Sequence, residues 1–250
     1  MKIAKGIHRL GNGLINAYLI EEAGEVTIID AGAAGYWNDI PAELAAMGAS
    51  FDRVRALVLT HGHSDHIGFA ERMRREKGVP VTVHELDAAL ARGEVPNPSK
   101  GLGKVRLGPV LRFFWYGARH GLLRTTSLVE VSTFGDGATL DVPGSPRVIL
   151  VPGHTPGSAT LHVPSLDALF SGDAIATYNV VSGQRGPQIS PFTADAPAAL
   201  VSLSRLDGVE AANLLPGHGE PWTGGVAAAI DQIRRASASG TAHESGSSAA

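Results

Sequence analysis

Four side chains that can bind metal ions lie within one short run of the sequence, Thr60-His61-Gly62-His63-Ser64-Asp65-His66. His61 and His63 are two residues apart, so in an extended turn both imidazoles can face the same side. Asp65 and His66 follow directly and can turn toward a second ion. Two ions about 3.5–4 Å apart can stabilise both the attacking and the leaving oxygen of a hydrolysis. The run therefore predicts a dinuclear hydrolytic centre.

One loop cannot complete two coordination shells, so further ligands must come from later in the chain. Three residues share one setting, each following an apolar run and lying beside glycine: His154, Asp173 and His218. Taken singly, each residue has an alternative to metal binding, as an ordinary histidine or aspartate in a turn. Together with the loop, the shared setting favours ligands of the same centre.

Short apolar runs and helical spacings define the elements that must position these side chains. Residues 54–60 are predicted to be a buried strand that ends at the loop. Residues 67–77 are predicted to be the helix that follows, with Gly78 as its stop. Residues 128–131 and 147–151 are predicted to be further short strands. The ligands are therefore expected at strand ends, where function concentrates.

The chain of 250 residues contains ten histidines and no cysteine. The absence of cysteine excludes disulfides, thiolate metal ligands and cysteine nucleophiles. A transition-metal site must therefore combine His with Asp or Glu, a donor set that suits Zn, Fe or Mn. Apolar residues make up 44% and charged residues 18%, which is the composition of a globular protein with a sizeable core.

Charge and hydropathy narrow the classes of partner. The net charge of −3 gives no global attraction for nucleic acid, so no nucleic-acid partner is expected. No run of about eighteen apolar residues occurs, so no membrane span is expected. The first ten residues lack the apolar stretch of a signal peptide. These features predict a cytoplasmic protein that acts on a small-molecule substrate.

The order of the motifs along residues 1–235 resembles the metallo-β-lactamase-fold hydrolase superfamily. The matching motifs are Asp30, the loop of residues 61–66, His154, Asp173 and His218. The resemblance implies an α+β fold, a four-layer αβ/βα sandwich with two mixed β-sheets. It also implies that the metal site lies at the edge between the two sheets.

The resemblance further implies which residues hold which ion. One metal would bind His61, His63 and His154, and the other would bind Asp65, His66 and His218. Asp173 would bridge the two ions, and Asp30 would orient the loop from behind the ligands. The cofactors implied are two Zn²⁺, with Fe or Mn as alternatives.

Two details place the chain in the glyoxalase II-like and lactonase-like branch. The main class of metallo-β-lactamases uses a cysteine ligand, which is absent here, and classes without that cysteine lack the aspartate that Asp173 supplies. The similar flavo-diiron oxygen reductases have glutamate where His63 stands. The expected reaction is cleavage of a lactone, ester or thioester by a metal-bridging hydroxide that Asp65 and Asp173 orient. Alternatives are a phosphodiesterase or nuclease activity, or β-lactamase activity, on the same metal site.

Two further features remain open at the level of sequence. Tyr178 is a candidate catalytic residue because lactonases of this superfamily have a tyrosine near the corresponding aspartate, although the spacing differs.

A basic, aromatic segment at residues 100–124, within an insert at about residues 95–127, holds six cations and no acid. It could be a flap over the metal site, a dimer or membrane-surface patch, or a solvated helix whose aromatic residues are core. A homodimer is one option for the chain, and residues 236–250 are predicted to be a disordered tail.

Overall fold

Two β-sheets form the centre of the molecule in the computed structural model, which describes residues 1–100 and 104–246. The first sheet follows chain order through β1 (Lys2–Ala4), β2 (Ile7–Gly11), β3 (Asn16–Glu22), β4 (Glu25–Ile29), β5 (Val54–Val58), β6 (Val81–His84) and β7 (Ser132–Phe134). The second sheet contains β8 (Arg147–Leu150), β9 (Ala159–Val163), β10 (Ala168–Gly172) and β13 (Asn213–Pro216). A separate hairpin of β11 (Ala176–Tyr178) and β12 (Arg185–Gln188) lies between β10 and β13 in the chain. The strand order of the second sheet is β13-β10-β9-β8.

Both sheets are mixed. In the first, β1 to β4 pair antiparallel and β4 to β7 pair parallel. In the second, β8, β9 and β10 pair antiparallel, and β10 pairs parallel with β13. The α-helices are α1 (Ile40–Ala46), α2 (Ala70–Lys77), α3 (Ala88–Ala91), α4 (Leu107–Arg119), α5 (Ala196–Ser202) and α6 (Val226–Gly246). Short 3-10 turns occupy Ala34–Asn38, Phe51–Arg53, Glu85–Asp87, Leu122–Arg124, Pro164–Leu166 and Leu203–Leu206.

Three apolar clusters separate four layers. Alternate residues of a strand face opposite sides of a sheet, so Ile28 packs toward α1 and α2 while Ile29 packs toward the second sheet. In the second sheet, Phe170 joins the cluster between the sheets and Leu169 packs toward α5 and α6. Burial of each such side chain contributes about 1.5–3 kcal/mol. The four-layer α+β sandwich expected from the resemblance is confirmed.

Several element bounds differ from the sequence prediction, since β5 ends at Val58 and not at residue 60, and α2 begins at Ala70 and not at residue 67. Residues 128–131 were expected to form a strand, but pairing with β6 begins only at Ser132, opposite Thr82. Leu128 is instead buried in the core, and its N–H donates to the Ala91 carbonyl at 3.0 Å. Only Leu128 of these four residues is buried, whereas Val129 is exposed, so the apolar residues reflect one core contact and not sheet pairing. By contrast, Gly78 ends α2 as predicted, in a left-handed conformation with φ 67°.

The C-terminal helix also extends further than the sequence suggests. Helix α6 continues to Gly246, while the domain boundary at residue 235 and the disordered tail of residues 236–250 stay predictions. The Ala and Ser residues that made this segment look unstructured also permit helix, since alanine has the highest helix propensity. Residues 247–250 of the predicted tail lie outside the described residues. Within the described part of the chain, no helix combines the length and apolarity needed to cross a membrane.

The basic segment of residues 100–124 contains α4, which lies between β6 and β7 in the sequence. Both sides of the segment are tied to the rest of the fold, because the Arg106 N–H donates to the Val181 carbonyl and Leu128 is bonded to Ala91. On the inner face of α4, Phe113 and Tyr116 are buried. The helix is therefore a fixed part of the fold, whereas residues 101–103 lie outside the described residues.

Candidate metal centre

The candidate metal centre lies at one edge of the sandwich, where both sheets present strand ends. In the first sheet, β5 leads into the loop of residues 61–66. In the second, β8, β10 and β13 run in the same direction, because β9 is antiparallel to both β8 and β10. The residues that follow these three strands therefore meet at the same edge: His154, Asp173 and His218.

The structure brings all the predicted ligands together. Ligand atoms lie within 4.8 Å of one another in three groups, which are His61 with His63 and His154, His61 with His66 and Asp173, and Asp65 with His66 and His218. The Asp173 Oδ2 atom is 3.3 Å from Nε2 of His154 and 3.3 Å from Nε2 of His218. Its Oδ1 atom is 3.5 Å from Nε2 of His66. Asp173 therefore lies between the two groups that the resemblance assigns to separate ions.

The donor atoms in this cluster fit a cation. Nε2 of His61, Nε2 of His66 and Oδ1 of Asp173 are buried and have no hydrogen-bond partner. Buried polar atoms almost always have partners, so unpaired ones need an explanation. These unpaired atoms converge on one another, and imidazole and carboxylate donors are what Zn, Fe and Mn prefer. The residues present therefore fit divalent metal binding.

The protonation of the rings supports the same interpretation. Burial lowers the pKa of His61 well below its ordinary value and lowers that of His154 to about 3. Both rings are therefore neutral near pH 7, the form that binds metal. Burial opposes a charge on His218 as well, but the carboxylates of Asp173 and Asp65 outweigh it and raise its pKa to about 10. Metal binding at that ring must therefore release a proton.

Hydrogen bonds on the far side of each ring fix its orientation. The Nδ1 atoms of four ligand histidines have partners, which are Thr60 Oγ1 for His61, Asp30 Oδ2 for His66, Thr193 Oγ1 for His154 and the Leu14 carbonyl for His218. With Nδ1 engaged, Nε2 of each ring faces the cluster. His63 has the opposite orientation, since its Nδ1 atom lies 2.9 Å from Nε2 of His154.

Comparison with known proteins gives the same result. The sequence profile of the metallo-beta-lactamase superfamily matches residues 10–218. The chain belongs to this superfamily. It is 31% identical over 238 residues to the probable metallo-hydrolase YflN of Bacillus subtilis (strain 168), covering 88% of this chain and 86% of YflN. The resemblance stated from the motifs is therefore confirmed, and the chain is a metal-dependent hydrolase of the superfamily.

Solved structures of the superfamily share the fold. A metallo-beta-lactamase family protein from Thermus thermophilus is 24% identical with a TM-score of 0.66, covering 95% of this chain and 80% of that one. The protein TTHA1623, solved in a di-iron-bound form, is 26% identical with a TM-score of 0.58, covering 86% of this chain and 93% of its own. The superfamily fold therefore holds iron in at least one neighbour of this chain.

Asp30, the first superfamily motif in the chain, lies directly behind the ligand loop. Its carboxylate accepts hydrogen bonds from the N–H of Thr60 at 2.7 Å and from the Thr60 hydroxyl at 2.8 Å, and its Oδ2 atom is 2.8 Å from Nδ1 of His66. The turn that follows adds two backbone bonds, from the Ala31 N–H to the His66 carbonyl and from the Gly68 N–H to the Gly32 carbonyl. Asp30 therefore links the end of β4 to both ends of the loop.

We expect Asp30→Asn to weaken metal binding about 10–100-fold, because the carboxylate that orients His66 would lose its charge. Asn is a matched replacement since, like Asp, it tolerates the left-handed backbone that Asp30 adopts, with φ 61°. Metal affinity would be measured by competition with a chromophoric chelator. The exposed Asp39→Asn is the control, and an unchanged affinity in Asp30→Asn would contradict the role assigned to the carboxylate.

Asp87, which belongs to no sequence motif and was not predicted, is a fully buried carboxylate that joins two ligand loops. Its Oδ2 atom accepts from the Gly62 N–H at 2.9 Å and from the Thr155 hydroxyl at 2.7 Å. Its Oδ1 atom accepts from the Gly157 N–H at 2.7 Å. Asp87 thus connects the loop that holds His61 and His63 to the loop that holds His154. The one indication of this role in the sequence was the position of Asp87 just after β6, at a strand end like the other residues of the site.

Glycines beside the ligands allow the loops to approach. A Cβ atom on Gly217 would lie 2.5 Å from Oδ1 of Asp173 and 2.5 Å from Cε1 of His66. A Cβ atom on Gly153 would lie 2.4 Å from the Ala199 backbone. Both distances are far inside van der Waals contact, so any larger residue would displace the ligands or their supports. The glycine before each of His154 and His218 has this physical reason.

A cavity of about 250 Å³ opens over the cluster. Its floor includes metal-centre residues, and its walls combine four apolar with three polar residues, which are Phe113, Phe114, Leu122 and Phe192, and Ser64, Asn97 and Ser99. Phe113 reaches over the centre, with its ring centroid 5.9 Å from that of His218. Substrate would therefore meet the centre in a small, partly apolar space.

Tyr178 is not among the described residues that line this cavity. It borders a neighbouring cavity of about 290 Å³ that also contains Arg112 and Arg185. The Arg185 guanidinium lies 5.7 Å from the centroid of the Tyr178 ring. The backbone N–H of Tyr178 donates to the His218 carbonyl at 3.3 Å. This part of β11 therefore supports a ligand loop, and a catalytic role for the Tyr178 hydroxyl stays a prediction.

Proposed function

We propose that this chain uses a dinuclear metal centre to hydrolyse a lactone, an ester or a thioester with an apolar acyl group. The observation that carries this proposal is the cavity over the cluster. Among the described residues that line it there is no Lys or Arg, and three of them are phenylalanines. A site for a phosphodiester or a nucleic acid would need cations to balance phosphate charge. An uncharged carbonyl substrate needs none.

The proposed ligands divide as the resemblance implies. His61, His63 and His154 would hold one ion, and Asp65, His66 and His218 the other, with Asp173 shared between them. When bound, such ions polarise a carbonyl and acidify water near neutral pH. We assign zinc as the native metal, with iron and manganese as alternatives for the same donors.

Two carboxylates at the floor of the cavity have roles of their own in this proposal. Asp65 is partly exposed, and its Oδ2 atom lies 3.3 Å from Nε2 of His218. As a general base it would take a proton from the attacking water and then donate that proton to the leaving group. Asp173 is buried and its Oδ2 atom accepts from the Ser190 hydroxyl at 2.9 Å, which fixes the carboxylate plane. Its fixed position would orient the same water.

The aromatic wall would exclude bulk water and hold the acyl group. Phe192 has a left-handed backbone with φ 62°, a strained conformation for an aromatic residue. Its ring centroid lies 6.4 Å from that of Phe113. Strain of this kind is maintained where surrounding structure imposes it, often beside active sites. The two rings would thus form a rigid surface against which an apolar acyl chain packs.

A panel of substrates tests the proposal. We expect zinc-loaded protein to hydrolyse N-acyl lactones, thioesters or aryl esters with kcat/KM at least about 100-fold above that for a phosphodiester or a β-lactam, because about 2.7 kcal/mol of discrimination is available from matched polarity and packing. Metal analysis of the purified protein accompanies the panel. Two equivalents of zinc with carbonyl turnover supports the proposal. Iron with oxygen consumption, or preferred turnover of the phosphodiester, would overturn it.

A further inference from the structure

The outer face of α4 is apolar and exposed to solvent. Leu107 is 72% exposed, Leu111 57%, Phe114 57% and Trp115 63%. Their spacing of four, three and one residues places them on one side of a helix. The opposite side contains Phe113 and Tyr116, which are buried. The helix is therefore apolar on two faces, and the fold explains only the inner one.

Cations surround this outer face. Lys104, Arg106, Arg112 and Arg119 are exposed, and none of them forms an ion pair with a carboxylate in the part of the chain that the structure describes. The Arg119 guanidinium lies 5.0 Å from the Trp115 ring centroid. Residues 95–129 contain no acid that could neutralise these charges. The face thus combines an apolar stripe that includes tryptophan with unneutralised cations beside it.

A second copy of the chain fits this face poorly. In a two-fold symmetric contact the face meets itself, so unpaired arginines would approach unpaired arginines. The area is also small, since a helix of 13 residues is roughly 20 Å long and presents about 200 Å² on one side. A stable protein interface buries about 800 Å² on each partner.

We propose that the outer face of α4 binds the surface of an anionic lipid bilayer. Leu107, Leu111 and Trp115 would enter the boundary between headgroups and acyl chains, where tryptophan is favoured. Arg112 and Arg119 would contact lipid phosphates, each cation adding attraction to the negative surface. The apolar stripe and the unneutralised cations are both required by such a surface, and a polyanion alone would not use the exposed leucines.

This face is continuous with the entrance to the metal centre. Phe114 belongs to the exposed stripe and also lines the cavity over the cluster. A molecule held on a bilayer through α4 would therefore open its cavity toward the lipid. An apolar substrate dissolved in the membrane would reach the centre without crossing water. The binding itself does not depend on the proposed reaction.

Vesicle binding by the full-length protein tests the proposal without an activity assay. We expect the protein to co-sediment with vesicles of phosphatidylcholine and phosphatidylglycerol, and at least tenfold less with phosphatidylcholine alone. Added salt should weaken the binding because it screens the arginines. Trp115 emission should shift to the blue on binding, and the shift should be absent in Trp115→Phe.

Two variants assign the binding to α4. Leu111→Glu and Trp115→Glu should each reduce partitioning at least tenfold, since each puts a negative charge into the stripe. Val201→Glu on α5, at a position 74% exposed, is the matched control and should bind as the parent does. Metal content and unfolding midpoints check that all variants fold.

Three results would overturn the proposal. One is equal binding to the two kinds of vesicle, or to neither. Another is equal loss of binding in Val201→Glu and Leu111→Glu. The third is a dimer of the parent protein in light scattering that Leu111→Glu converts to a monomer, which would assign the face to a second copy of the chain.

Discussion

Replacing Asp173 with alanine is expected to remove bound metal and to nearly eliminate hydrolysis. Asp173 lies within 3.5 Å of Nε2 atoms on three histidines, His66, His154 and His218. Its loss leaves those buried donors without the negative charge that would balance bound metal. We expect kcat/KM to fall by about 1,000-fold or more, because metal-dependent hydrolysis would lose both the polarisation of the substrate and an acidified water.

Metal analysis and kinetics on the same preparations check this result. His61→Ala should behave in the same way, because His61 belongs to two of the three ligand groups. The matched control is Asp141→Ala, at an exposed aspartate that belongs to none of the ligand groups, and this variant should keep both metal and activity. A metal-free Asp173→Ala protein with full activity would end the interpretation of the chain as a metallo-hydrolase.

The second large effect is expected at Asp87, where alanine should lower the free energy of unfolding by about 3 kcal/mol, since three buried donors lose a charged acceptor. The donors are the N–H groups of Gly62 and Gly157 and the hydroxyl of Thr155. Gly62 lies in one ligand loop, and Thr155 and Gly157 lie in another. Because the variant would lose the connection between these loops, it should also bind metal more weakly. Urea unfolding and chelator competition measure the two effects.

Graded variants distinguish this role from general damage. Asp87→Asn keeps the shape but exchanges one acceptor oxygen for an NH₂ group, so it should have an intermediate effect. Thr155→Val removes only one hydroxyl donor and should cost about 1 kcal/mol. If Thr155→Val destabilised the protein as much as Asp87→Ala, the connecting role assigned to the carboxylate would be wrong.

The composition of the cluster could be predicted from sequence because the metal ligands follow a local rule. One can recognise two features without knowing the sheet. One is a loop with two histidines two residues apart, and the other is the set of single His or Asp residues at later strand ends. The pairing that brings His154, Asp173 and His218 to one edge depends on β9 reversing direction between β8 and β10, and this strand order was not predicted from the sequence. The structure places the predicted ligands together.

Two features could not be predicted because they depend on long-range packing. Asp87 has no motif of its own, and its importance comes from donors that lie 25, 68 and 70 residues away in the chain. The aromatic run of α4 was also ambiguous, since helical spacing does not say which face meets the core. In the structure Phe113 is buried whereas Phe114 and Trp115 are exposed, so the option that all three are core residues is wrong.

The position of α4 in the chain has a consequence for how such an enzyme can change over evolutionary time. The helix lies within residues 88–153, of which no described residue belongs to a ligand group, and it is hydrogen-bonded to the rest of the fold on both sides. Exchanges of residues on this helix would alter what enters the cavity while leaving the candidate metal ligands in place. The substrate of the chain and the place where it acts can therefore change in evolution while the metal chemistry is kept.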